Sequence, residues 1–150
     1  MDRQATLSAR PSAGPQRKAP GFAVLTMLSA QMVADCLCAA LEAGSGYWCQ
    51  VTREIAPRGE WTFRFDERRV YPHIDFPMNG GALILEDTEA KEDEKGKPPK
   101  YRLTRAALRR GVALMAAHHP HHFANLVAET GDSETGDVLL QCSVLGEVRY

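Results

Sequence analysis

Between Phe22 and Tyr150 the spacing of apolar residues changes several times, and each change marks an element. "FAVLT" is a short extended run. Beyond it Val33, Leu37, Ala40 and Leu41 recur at three and four residues, which predicts an amphipathic helix from about Ala30 to Ala43. Ser29 is placed to cap it, Leu28 and Val33 to staple its first turn, and Gly44 to stop it in a left-handed conformation. The period then shortens to two. "YWCQVTR" alternates, and so does "WTFRF", with Trp61, Phe63 and Phe65 on one face and Thr62 and Arg64 on the other, so two strands are expected. "VYPHIDFP" reads as extended chain, and Pro72 and Pro77 confine it to an edge or a loop. "GGALILE" is the most buried strand, and "KYRL" returns to pair with it.

The intervening "DTEAKEDEKGKPP" has mixed charge and no apolar stripe, which predicts a long mobile hairpin loop. Thr104 caps a helix whose stripe is Leu108, Val112 and Met115, and Pro120 breaks it. A short helix follows from about His121 to Ala128, burying Phe123, Leu126 and Val127. A loop and a largely buried final helix striped by Val138, Cys142 and Leu145 complete the pattern. The expected fold class is α+β: a single domain over 21–150 with a leading helix, a small antiparallel sheet and a C-terminal helical layer. Residues 1–20, with three prolines and Leu7 as the one large aliphatic side chain after Met1, are expected to be a disordered leader.

Composition refines this picture only modestly. A chain of 150 residues with 44% hydrophobic and 25% charged residues suits one globular domain, and a net charge of -1 removes any global argument for a nucleic-acid coat or membrane-surface binder. No signal peptide or spanning segment is evident, because Ser29, Gln31 and Asp35 interrupt the apolar stretch. Cys36, Cys38, Cys49 and Cys142 form no C-x-x-C pair, and Cys36 and Cys38 point apart on a helix, so free, buried thiols in a reducing cytosol are expected.

Four constellations carry potential chemistry. His118 and His122 have the i, i+4 spacing of a helical metal pair, yet Pro120 lies between them and breaks the helix that spacing requires, so no metal site and no cofactor is assigned. The run is better explained as a helix junction. His73 and Asp75 would share one side of an extended segment, as a carboxylate-oriented base requires, but no nucleophile accompanies them and no catalytic residue is assigned. Arg102, Arg105 and Arg109, with Lys100 and Arg110 nearby, recur around the start of the Thr104 helix and suit phosphate or an acidic protein surface. "ALEAGSGYW" breaks a local rule, since Glu42 lies in a last helical turn where the macrodipole disfavours it. Glu42 is therefore expected to anchor the Gly44–Gly46 bend, with Tyr47 and Trp48 on opposite sheet faces. Glu42, Tyr47, Trp48, Arg102, Arg105 and Arg109 are the expected ligand-binding residues.

"ALEAGSGYW", "HPHHFANL" and "GDSETGDVLLQCSVLGEVRY" together resemble a group of small bacteriophage- and prophage-encoded proteins with an E-G-G-S-x-Y-W-like bend and an E-T-x-D-x-x-L-Q…F-G-E-like end. The likeness runs in three blocks within 24–150 and departs at Ala43, Gly46 and Leu145, where the pattern has Gly, Asn and Phe. It implies a phage or prophage origin and no particular chemistry. The functional expectation is a non-enzymatic accessory protein that binds a host protein or a small anionic, phosphate-bearing ligand. The alternatives are a nucleotide or nucleic-acid binder using the arginines with Trp48 or Trp61 as a stacking surface, and a metal-dependent hydrolase using the histidines.

Overall fold

The computed structural model describes Gly21 and residues 25–150, so the expected leader at 1–20 lies outside the described residues. The order of elements is α1 (Ala30–Ala39), a π-helical turn (Ala40–Gly44), β1 (Cys49–Ile55), α2 (Pro72–Met78), β2 (Ala82–Asp87), β3 (Lys100–Leu103), α3 (Arg105–His118), α4 (Pro120–Val127) and α5 (Ser133–Val144). This is the expected α+β class. The strands form one antiparallel sheet in the order β1-β2-β3, with Cys49 opposite Asp87, Leu83 opposite Leu103 and a register shift between Val51 and Arg53.

One face of the sheet supplies Leu83, Leu85, Leu103 and Cys49 to a core shared with Leu37, Trp48, Ile74, Leu108 and Leu140. A second cluster of Cys36, Met115, Leu126, Leu139 and Cys142 lies among the helices. The final helix belongs to both. Every residue of α5 from Thr135 to Ser143 is buried, because the helix packs against α1, the π-helical turn and α3. Glycines permit these close approaches. A Cβ on Gly136 would stand 2.6 Å from the Cys36 carbonyl oxygen, and one on Gly111 would stand 2.8 Å from the Ser143 Cα.

Two caps agree with the sequence reading, Ser29 Oγ accepting from the Met32 N–H and Thr104 Oγ1 from Ala107, and a third not read from the sequence is Asp132, which accepts from the Thr135 N–H. Leu28 and Val33 both pack on the helical cluster, in keeping with a staple. Four local expectations need correction. "WTFRF" is not a strand, because its backbone is bound by side chains: Asn79 accepts from the Phe63 N–H at 2.9 Å and donates to the Phe63 carbonyl at 2.8 Å, while Asp75 accepts from the Phe65 N–H at 2.9 Å. "VYPHIDFP" is the helix α2 rather than extended chain. Pro72 occupies its first turn, where no N–H is needed, and the Asp75 carboxylate reaches back to the Tyr71 N–H at 2.7 Å. Gly44 is not left-handed; the helix widens into a π turn there, and a side chain at Gly44 would run into the Ser133 carbonyl. Val127 is exposed, not buried.

Helix α4 ends at a strained residue. Glu129 has φ 55°, and the Thr130 N–H closes the turn on the Asn125 carbonyl at 2.9 Å. Glycine is the usual residue in such a left-handed cap. Glu129→Gly is therefore expected to stabilise the protein by about 0.5 kcal/mol, a rise of roughly 2 °C in melting midpoint for a chain of this size. A lower midpoint would show that the Glu129 side chain makes up for its backbone strain.

Candidate functional site

The arginine group divides. Arg102 lies on β3 opposite Ile84, exposed on the sheet face away from the buried leucines. Arg105 and Arg109 stand one turn apart on α3 and flank an open groove of about 220 Å3. The floor is apolar: Leu28, Ala30, Val33, Met78, Leu108 and Val112, with Ser29 at one end. Among the described residues the ion pairs join His73 to Glu54, Lys100 to Glu86, His122 to Glu134 and Arg149 to Glu147, and neither groove arginine takes part. The acidic stretch of the β2–β3 loop does not neutralise them. That loop instead folds on itself, where Asp93 accepts from the Lys95 and Lys97 N–H groups at 2.8 and 2.9 Å.

Tyr47 and Trp48 lie elsewhere, and they converge instead of splitting across the sheet as expected. Asp137 of α5, almost fully buried, accepts from Ser45 Oγ at 2.7 Å, Trp48 Nε1 at 2.7 Å, Tyr47 OH at 2.8 Å and Gln141 Nε2 at 2.9 Å. A buried carboxylate without a cation survives when its lone pairs meet donors, and here each oxygen meets two. Loss of solvation, followed by donation to Asp137, pushes the Tyr47 hydroxyl up to about 12. Gln141 extends the network, its Oε1 accepting from the Arg149 and Tyr150 N–H groups at 2.8 and 3.1 Å. The Tyr150 ring stacks on Trp48 at 5.6 Å, and its hydroxyl reaches both oxygens of buried Asp87 at 3.1 Å. Asp137, Gln141, Asp87 and Tyr150 were missed by the sequence reading. The available signal was a pair of polar residues four apart inside "DVLLQC".

Glu42 is not the anchor of the bend. Ser45 and Asp137 hold it, while Glu42 is exposed beside Cys38 in a shallow cleft with Glu54, Tyr71 and His73. His73 and Asp75 also separate, because on a helix i and i+2 diverge: His73 Nε2 meets Glu54 at 2.8 Å, and Asp75 points inward to backbone N–H groups. The histidine run is a junction, with His119 serving as C-cap of α3 and N-cap of α4. His122 Nδ1 lies 3.1 Å from Thr135 Oγ1. Among the described residues no three His, Cys, Asp or Glu side chains are grouped to hold a metal ion.

The four thiols are free. Burial pushes Cys36 and Cys49 up to about 12 and raises Cys142, while burial and then the charge of Glu42 push Cys38 up to about 11. None carries a useful thiolate population at neutral pH. No described helix is long and apolar enough to cross a membrane. Set against models of known families, curated proteins and solved structures, the chain matches none.

Proposed function

We propose that this protein acts by binding, as a non-enzymatic accessory protein of phage or prophage origin working in the host cytoplasm, and that the Arg105–Arg109 groove receives an anionic group of its host-protein or small-ligand partner. The observation that carries this reading is the pair of guanidinium groups one helical turn apart at the groove rim, outside every ion pair among the described residues. Arginine presents planar donors suited to carboxylate and phosphate. The state of the other polar groups agrees with binding. The thiols are held protonated, and the buried carboxylates Asp75, Asp87 and Asp137 are each engaged by donors of this chain.

A nucleotide binder with a stacking aromatic draws less support. Trp48 is 0% exposed beneath Tyr150, and Trp61 meets the edge of Phe76 while Arg64 lies 4.9 Å over its ring. A hydrolase built on His73, Asp75 and the 118–122 run lacks a shared centre, since His73 and Asp75 serve different partners.

Titration with pyrophosphate and with hexaglutamate tests the reading. At least one is expected to bind, and the Arg105→Ala/Arg109→Ala double variant to bind it about tenfold more weakly, a change of ~1.4 kcal/mol. Its melting midpoint should be nearly unchanged, because exposed charges contribute under about 1 kcal/mol to folding. Equal affinity in the double variant would remove the groove from consideration.

A further inference from the structure

Resting on that reading, we infer that the groove takes a short acidic segment of a partner protein that presents a large apolar side chain beside its carboxylates. The rim and the floor ask for different chemistry. Arg105 and Arg109 offer charge, whereas Leu28, Val33, Met78, Leu108 and Val112 offer apolar surface that a bare phosphate would leave in water. Leu25 and Met27, 88% and 82% exposed, precede the groove residue Leu28 in chain without regular secondary structure. A segment with an aliphatic or aromatic anchor and two acidic residues about one helical turn apart satisfies rim and floor together.

Charge separates this occupant from its rivals. Residues 1–20 of the chain carry Arg3, Arg10, Arg17 and Lys18 against Asp2, the wrong sign for Arg105 and Arg109. A second copy could offer Glu89, Glu92, Asp93 and Glu94 of its β2–β3 loop, but Ala90 is the sole apolar residue within that stretch and would leave the floor unfilled. Such a loop-to-groove contact would also be head-to-tail, with different surfaces on the two copies.

The test is selection from a ribosome-displayed library of random dodecapeptides on the wild-type protein, with counter-selection on the Arg105→Ala/Arg109→Ala variant. Enriched peptides are expected to place Leu, Ile, Phe or Met within one turn of two Asp or Glu residues. A synthetic peptide of that kind should bind the wild type at least ten times more tightly than the double variant. Val112→Ser should weaken it several-fold, with melting curves verifying that both variants are folded. Enrichment of acidic peptides without an apolar anchor, or no enrichment, would overturn the segment while leaving the anion-binding groove standing. Peptides that bind both proteins equally would overturn both. Self-association of the wild type that the peptide competes away, and that neutralising Glu92 and Glu94 abolishes, would assign the groove to a second copy and overturn the inference.

Discussion

Replacing Asp137 with alanine is expected to destabilise the protein by about 4 kcal/mol. The substitution removes the acceptor for Ser45, Trp48 and Gln141, all three of them buried. A buried donor left without a partner costs about 1–3 kcal/mol, and the indole N–H and the Gln141 amide cannot turn to solvent without disturbing the core. Tyr47, half exposed, recovers its bond from water and contributes least. For a domain of this size the fall in melting midpoint should be on the order of 12 °C. Asp137→Asn separates charge from shape, since it keeps the volume but turns one acceptor into a donor facing two donors. About half the loss is expected from it. Urea unfolding of both variants checks the result, and a loss below about 1 kcal/mol for Asp137→Ala would mean that the network adds no net stability.

Gly136→Ala should be nearly as damaging for the opposite reason. A methyl group there would lie 2.6 Å from the Cys36 carbonyl oxygen and 2.7 Å from the Ala40 nitrogen, both of them backbone atoms that cannot swing aside. Helix α5 must then move off α1, taking Asp137 with it. Overpacking of this kind costs about 3 kcal/mol. Gly46→Ala is the control, because nothing stands within 4 Å of the added carbon. Similar stability of the two variants would contradict the tight α1–α5 crossing.

Those two residues also show what periodicity can reveal. The strands β1, β2 and β3 and the starts of α1 and α3 were legible because each rests on a local signal: alternation in β1, an apolar run after two glycines in β2, a short return to pair with it in β3, and a Ser or Thr just ahead of an apolar stripe at each helix start. "WTFRF" alternates just as well but faces α2, and its backbone is satisfied by Asn79 and Asp75, residues 16 and 10 positions away. Alternation reports which side chains turn inward and says nothing about where the N–H groups find partners. In α2, Pro72 at the start and Asn79-Gly80 after the end were helix signals outweighed by reading both prolines as breakers. At the candidate site, Arg105 and Arg109 were legible as a helical pair, but the apolar floor beneath them is assembled from α1, α2 and α3 and has no local signature. Glu42 stands out in the sequence as a carboxylate in a last helical turn, and it does lie in the π-helical turn that ends the helix. The bend beside it, however, is held by a carboxylate 92 residues from Ser45, which no sequence window spans.

That separation has a temporal meaning. The bonds from Ser45, Tyr47 and Trp48 to Asp137 join residues 89 to 92 positions apart, and Tyr150 reaches Asp87 across 63. A chain synthesised only as far as α4 holds a complete sheet and the Trp48 indole, yet lacks the acceptor, the stacking partner and the apolar side of α5 that enclose them. Long-range closure of this kind slows folding, because loop entropy is spent before the contacts that offset it exist. On the ribosome, the domain's cooperative transition must wait until the final helix clears the exit tunnel, and until then Trp48 and the leucines of β2 present a surface suited to chaperones.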